Sequence, residues 1–385
     1  MFTRFLKFSL PTILIAALGC ERSFWTPPQS DLLVSAGDST YWVRSDGRTT
    51  SVRAASFLLA HVDGRFSEIY IVDQDRSFAD AVIVGQRVYQ RDLITGDSVL
   101  LLDDSTTREV AMRYAREHPG EMPLAIDEAE NPDAATIAYT DTEIVDVLGP
   151  YVTYEQHIDM DGSWLSGSHS SRRGVIDLRT AQPVRLEDLV GRRGATTLRL
   201  QGVSMLGSAS DSIRAIGDAR AARAKEAIAG FVFDSSSFSL VESAGVPAIA
   251  FFVPGRGVRA AGYAFPLAPI DIPPGTWWQD VRATLPTSVP GGDEFWPGRD
   301  HEVVARYDTS GTRARILLRR PGKSREWPIA DVQAPVRRVL RIPAAGPEST
   351  EALGRAFDDA VLYSGEARTA SNTRSPAKGA ARLRT

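Results

Sequence analysis

Residues 136–162 read TIAYTDTEIVDVLGPYVTYEQHIDMDG. Three segments of this stretch have strand character: Thr136–Tyr139, Glu143–Leu148 and Tyr151–Ile158. Each is short and rich in β-branched and aromatic residues. The last runs into the alternation His157-x-Asp159-x-Asp161, which a strand places on one face. Divalent metals accept imidazole and carboxylate ligands. With His169 in the serine-rich turn expected at Ser166–His169, these residues form the densest group of candidate metal ligands in the chain. The plainer alternative is a solvent-facing strand edge that enters the turn Asp161-Gly162.

The strand signature continues on both sides. Upstream, Ser39–Val43, Phe57–Val62, Glu68–Val72, Ala81–Val84, Arg87–Tyr89 and Ser98–Leu102 are apolar runs separated by turn signals such as Asp46-Gly47 and Asp63-Gly64. Such spacing predicts an antiparallel meander. Downstream, Val175–Leu178, Val184–Leu186, Phe231–Phe233, Phe238–Val241, Ile249–Val253, Tyr263–Leu267, Glu302–Tyr307 and Ala314–Leu318 read as strands. Helices are expected at 106–117, which His118-Pro119-Gly120 ends, at 211–229 with an apolar stripe, and from 349 or 350 to 363. The expected fold class is therefore α+β, mainly antiparallel sheets with three notable helices.

Composition shifts divide the chain into units at 38–134, 135–274 and 275–365, with the acidic stretch 121–134 as the first boundary. The hydrophobic fraction of 43% and charged fraction of 24% are ordinary for a globular protein. The net charge of -4 gives no nucleic-acid footprint. A single cysteine excludes an intramolecular disulfide, so the core alone must stabilise the fold. Residues 366–385 carry Arg368, Arg374, Lys378, Arg382 and Arg384 against Glu366. Their small polar character predicts a disordered basic tail.

The sole cysteine, Cys20, closes Ala17-Leu18-Gly19-Cys20 after an apolar run that follows Arg4 and Lys7. The run, residues 8–19, is too short to span a bilayer, which needs about 20 apolar residues. A basic start, a short apolar core and a small-residue exit form the signal-peptide pattern. The arrangement resembles the lipobox of bacterial lipoprotein signal peptides. The resemblance implies removal of residues 1–19, acylation of Cys20, a tether over 20–37 and a place on the envelope side of a bacterial membrane.

A second resemblance covers residues 144–272. The strand Tyr151–Ile158, the turn Ser166-Gly167-Ser168-His169, the strand Val175-Ile176-Asp177-Leu178-Arg179-Thr180 and the run Leu186-Glu187-Asp188-Leu189-Val190 follow one another. This order is similar to the extracytoplasmic domain of the lysozyme-sensing anti-sigma factor RsiV and of peptidoglycan-deacetylase-associated proteins. It implies an α+β domain with a non-catalytic ligand- or protein-binding role.

Other chemistry finds less support. Asp73-x-Asp75-x-Ser77 begins like a calcium loop, but Phe78 and Val84 stand where an EF-hand needs Gly and Glu. No Gly-x-Ser-x-Gly elbow, phosphate loop or dinucleotide fingerprint occurs, and no cofactor is called for. Trp277, Trp278 and Trp296 lie in a Pro/Gly-rich stretch, where they either stack on a sugar or protein ligand or cap a sheet. The expected function is a non-enzymatic envelope lipoprotein that binds peptidoglycan, another glycan or an envelope protein. The alternatives are a metal-dependent hydrolase of envelope material built on His157, Asp159, Asp161 and His169, and a structural subunit of an envelope assembly.

Overall fold

The computed structural model describes residues 31–53, 58–63, 65–124, 134–162, 165–214, 233–253, 265–288, 292–342 and 350–357. Cys20 and the basic segment 366–385 lie outside the described residues. The fold is α+β, with helices set against several largely antiparallel sheets.

Strands β1 (Asp31–Ala36), β2 (Ser39–Val43) and β3 (Thr49–Arg53) form an antiparallel trio. Then β4 (Leu58–Val62), β5 (Arg65–Asp75), β6 (Ala81–Asp92) and β7 (Ser98–Leu102) make the expected meander, with 81–84 and 87–89 fused into one strand. Helix α1 (Ser105–Glu117) starts at Asp104, whose carboxylate accepts the amides of Thr106 and Thr107 at 3.1 and 3.2 Å. Such a cap is worth about 1 kcal/mol. Val110, Ala111 and Tyr114 of α1 pack on Phe78, Ala81, Ile83 and Ala138.

Strands β8 (Thr136–Leu148), β9 (Tyr151–Gly162), β10 (Leu165–Asp177) and β11 (Gln182–Pro183) extend the same sheet, in the order β11-β10-β9-β8-β6-β5-β4. One sheet thus crosses the boundary expected at 134/135. β6 and β8 pair in parallel over four residues only, Ala81–Val84 with Thr136–Tyr139. Beyond that point β7 takes the place beside β6. The turn expected at 166–169 is instead part of β10, because the hairpin reverses between Gly162 and Leu165.

Helix α2 (Leu186–Arg214), kinked at Gly191, follows. Its first residue ends the segment expected to be a strand at 184–186. Of the helix expected at 211–229, only 211–214 are described, and they finish α2. Strands β12 (Phe238–Ser243), β13 (Val246–Val253), β14 (Phe265–Pro266) and β15 (Ile270–Asp271) and helix α3 (Trp278–Thr284) join α2 over one face of β8–β10. Their shared core holds Leu148, Tyr151, Val175, Leu186, Leu198, Phe238, Phe251 and Trp278. Each such side chain contributes about 1.5–3 kcal/mol by leaving water.

Strands β16 (Thr287–Ser288), β17 (Glu294–Trp296), β18 (Glu302–Tyr307), β19 (Arg313–Arg319) and β20 (Glu326–Gln333) build the last antiparallel sheet. β21 (Val336–Ile342) then pairs with β1 across some 300 positions of sequence, Leu33 opposite Leu340 and Val34 opposite Val339. The first and last sheets share a core that includes Val34, Tyr41, Trp296, Ile316 and Val339. Residues 31–36, expected within the tether, are therefore a central strand, and the expected N- and C-terminal units share one core. Residues 350–357 form α4, whose Leu353 and Phe357 cover Leu33, Trp42 and Ile342.

Candidate functional site

The β8–β9 hairpin positions both places where polar side chains gather. Along β8 the even-numbered residues from Thr136 to Ile144 are buried and the odd ones exposed up to Glu143. The register then slips by one residue between Ile144 and Asp146. A bulge of this kind turns the following side chains to the other face. Asp146, which strict alternation would group with Ile144, instead pairs with Thr153, two positions along β9 from the Glu155 that faces Glu143.

Asp146 thereby reaches a cleft of about 690 Å³. That is a normal volume for a ligand site, about 300–1,000 Å³. Five consecutive residues, Glu143–Val147, line one wall. The opposing walls come from the β1–β2 turn, β12, α3 and β21, through Ser39, Glu242, Asp280 and Arg338 among others. Residues on both faces of β8 touch the cleft, so the strand presents its edge. Two side chains satisfy that edge where a strand would otherwise pair: Gln86 Oε1 accepts the Thr142 amide at 2.6 Å, and Asp146 Oδ1 accepts the Val147 amide at 2.8 Å.

Arg338 Nη2 lies 2.7 Å from both oxygens of Asp146. Burial raises the Asp146 carboxyl above its ordinary value, and the Arg338 charge and the Val147 amide oppose that rise. The side chain still keeps 34% of its surface exposed to the cleft. A partly desolvated carboxylate with a shifted titration, placed in a concave site, is a physical mark of function. It also ties β21 to the hairpin, because Arg338 is 192 residues away in sequence.

Gly149 allows this geometry. It turns the β8–β9 hairpin at φ +60°, and a Cβ there would stand 3.1 Å from Val281 and 3.4 Å from the Trp277 ring. A side chain there would strain the turn and crowd Val281 and Trp277.

The sequence-derived candidates fall elsewhere. His157, Asp159 and Asp161 do share one face of β9, and the register sets the backbone of His169 opposite Asp159. The His169 side chain is outside the described residues. Among the described residues no group of three His, Cys, Asp or Glu side chains is arranged to hold a metal ion. His157 Nδ1 instead meets Ser171 Oγ at 2.7 Å, and Nε2 stands 3.4 Å from Glu155 Oε1. Glu155 is held in turn by Arg173, whose guanidinium stacks 4.2 Å from the Phe252 ring. The Ser171–His157–Glu155 chain resembles a proton relay, but the histidine is 44% exposed on an open sheet face.

The tryptophans are packing residues. Trp296 is fully buried and donates its indole N–H to the Thr284 carbonyl at 2.8 Å. Trp278 is buried in the core under α3. Trp277 is half-buried, edge-on to Tyr151 at 5.2 Å and to Trp278 at 5.4 Å. They cap the sheet and take no open stacking position. Sequence reading missed Asp146, Arg338 and Glu143. The one local signal was the adjacent pair Ile144-Val145, which breaks the alternation at the bulge.

No protein-family model matches this chain, and no curated protein is similar to it.

Proposed function

We propose that this protein is a bacterial envelope lipoprotein, anchored through an acylated Cys20, that works as a non-enzymatic binding module. Its ligand is peptidoglycan, another glycan or an envelope protein, and its site is the cleft between β8, α3 and β21. The observation that carries this reading is the Asp146–Arg338 pair, half-desolvated at the wall of a ligand-sized cavity. The resemblance of residues 144–272 to the RsiV-type extracytoplasmic domain supports a binding role. Two experiments test the reading. Cys20→Ser should release the protein from the membrane fraction; equal retention of both forms removes the lipid anchor. Envelope material retained by the immobilised wild type should be lost with Glu143→Gln/Asp280→Asn; equal retention moves the site away from the cleft.

The register that faces His169 with Asp159 supports a second reading, a metal-dependent hydrolase of envelope material. Elemental analysis of purified wild type and His157→Ala/His169→Ala decides it. Stoichiometric metal that disappears in the double variant favours the hydrolase, and equal metal content in both forms removes it.

A further inference from the structure

The outer edge of β8 from Glu143 to Val147 has no strand partner among the described residues. β6 pairs with β8 only as far as Tyr139, and Gln86 then closes the ladder with its side chain. An unpaired strand edge is a template for another strand. On this edge Gln86 and Asp146 already hold the Thr142 and Val147 amides and the register slips between Ile144 and Asp146, so the addition is short and uses the main-chain groups between them. This edge is unusual in opening into a walled cleft instead of bulk solvent. A cleft of about 690 Å³ matches a short extended segment in volume. Its charge selects among such chains. Asp38, Glu143, Asp146, Glu242 and Asp280 line it against Arg337 and Arg338 alone. Asp146 and Arg338 offset each other, so the remaining lining is acidic.

We propose that the cleft binds an extended, basic segment of a partner protein, which adds as a short strand along Glu143–Asp146 and sets Arg or Lys side chains against Glu143 and Asp280. The inference rests on the binding-module reading and names its partner class: a protein, not a glycan.

The probe is a nine-residue peptide of alternating arginine and threonine, titrated onto the full-length protein. Three comparisons accompany it: the same peptide N-methylated at alternate amides, the peptide with glutamate for arginine, and the variant Glu143→Gln/Asp280→Asn. The expected result is saturable binding to wild type, weakened about fivefold or more in the double variant, as two partly exposed charge pairs allow. Binding should be lost with both altered peptides. Equal binding of the N-methylated peptide would show plain charge attraction and overturn the strand addition. Equal binding by the double variant would overturn the location. Binding seen only after residues 366–385 are deleted would assign the cleft to the chain's own basic segment and overturn a separate partner. A protein that ignores the peptides yet retains protease-treated envelope material would overturn the peptide inference and leave the binding module standing. One that retains neither would overturn both.

Discussion

The two polar places on the β8–β9 hairpin are close neighbours with opposite origins. The His157 face arises from one strand's own alternation, and its contacts to Ser171 and Glu155 stay within β9 and its neighbour β10. The Asp146 cleft arises from a register slip and from partners on β1, β12, α3 and β21. The first is open and largely solvated; the second is walled and shifts a carboxyl's titration. Local periodicity thus finds side chains that share a face, but concavity and desolvation come from contacts distant in sequence.

This contrast can be broken most forcefully at Arg338. Arg338→Ala removes the partner of a half-desolvated carboxylate and should cost about 1–3 kcal/mol, read as a shift in the denaturation midpoint. A loss under about 0.5 kcal/mol would place Asp146 among ordinary surface carboxylates. Gly149→Ala comes next, at about 1–2 kcal/mol for a positive-φ turn that also abuts Val281. No measurable change would mean that the hairpin and α3 can separate freely.

His157→Ala should cost less, about 0.5–1 kcal/mol for an exposed hydrogen bond to Ser171. A larger loss would give the His157 face the structural weight assigned here to the cleft.

Titration should separate the two carboxylates Asp146 and Asp103 by a smaller margin. The raised Asp146 carboxyl binds its proton more tightly in the folded state, so its contribution to stability declines as pH rises above 3.8 toward the folded value. Asp103 behaves in reverse. Desolvation acts to raise it, but hydrogen bonds from Arg87 and Arg108 outweigh that and lower it. Its contribution is present above 3.8 and is lost as pH falls through the lower folded value. Melting curves between pH 2 and 7 should show Asp146→Asn gaining on wild type as pH rises. Asp103→Asn should lose its deficit as pH falls. Parallel curves would mean that neither environment differs from solvent.

The sequence made the fold class and most strands legible because each depends on local alternation and turns. Ser39–Val43, Ser98–Leu102 and the start of α1 stand where their residues indicate. Asp31–Ala36 was less legible as a strand because its partner β21 lies at the opposite end of the chain. Val336–Ile342 itself mixes arginines into its apolar pattern, with Arg338 turned to the cleft and Arg341 bonded to the Trp296 carbonyl. Composition leaves the tryptophans between stacking on a ligand and capping a sheet; their packing in the cores around α3 and β18 is a tertiary fact no short window contains.

In this reading ligand enters at the edge of β8 and not at the His157 face. Amide hydrogen exchange of the full-length protein, with and without the arginine–threonine peptide, tests it most directly. Strand addition should add protection at Glu143–Asp146 and none at His157–Asp161, because the Thr142 and Val147 amides are already held by Gln86 and Asp146. Protection confined to the His157 strand segment, with the β8 edge unchanged, would contradict it.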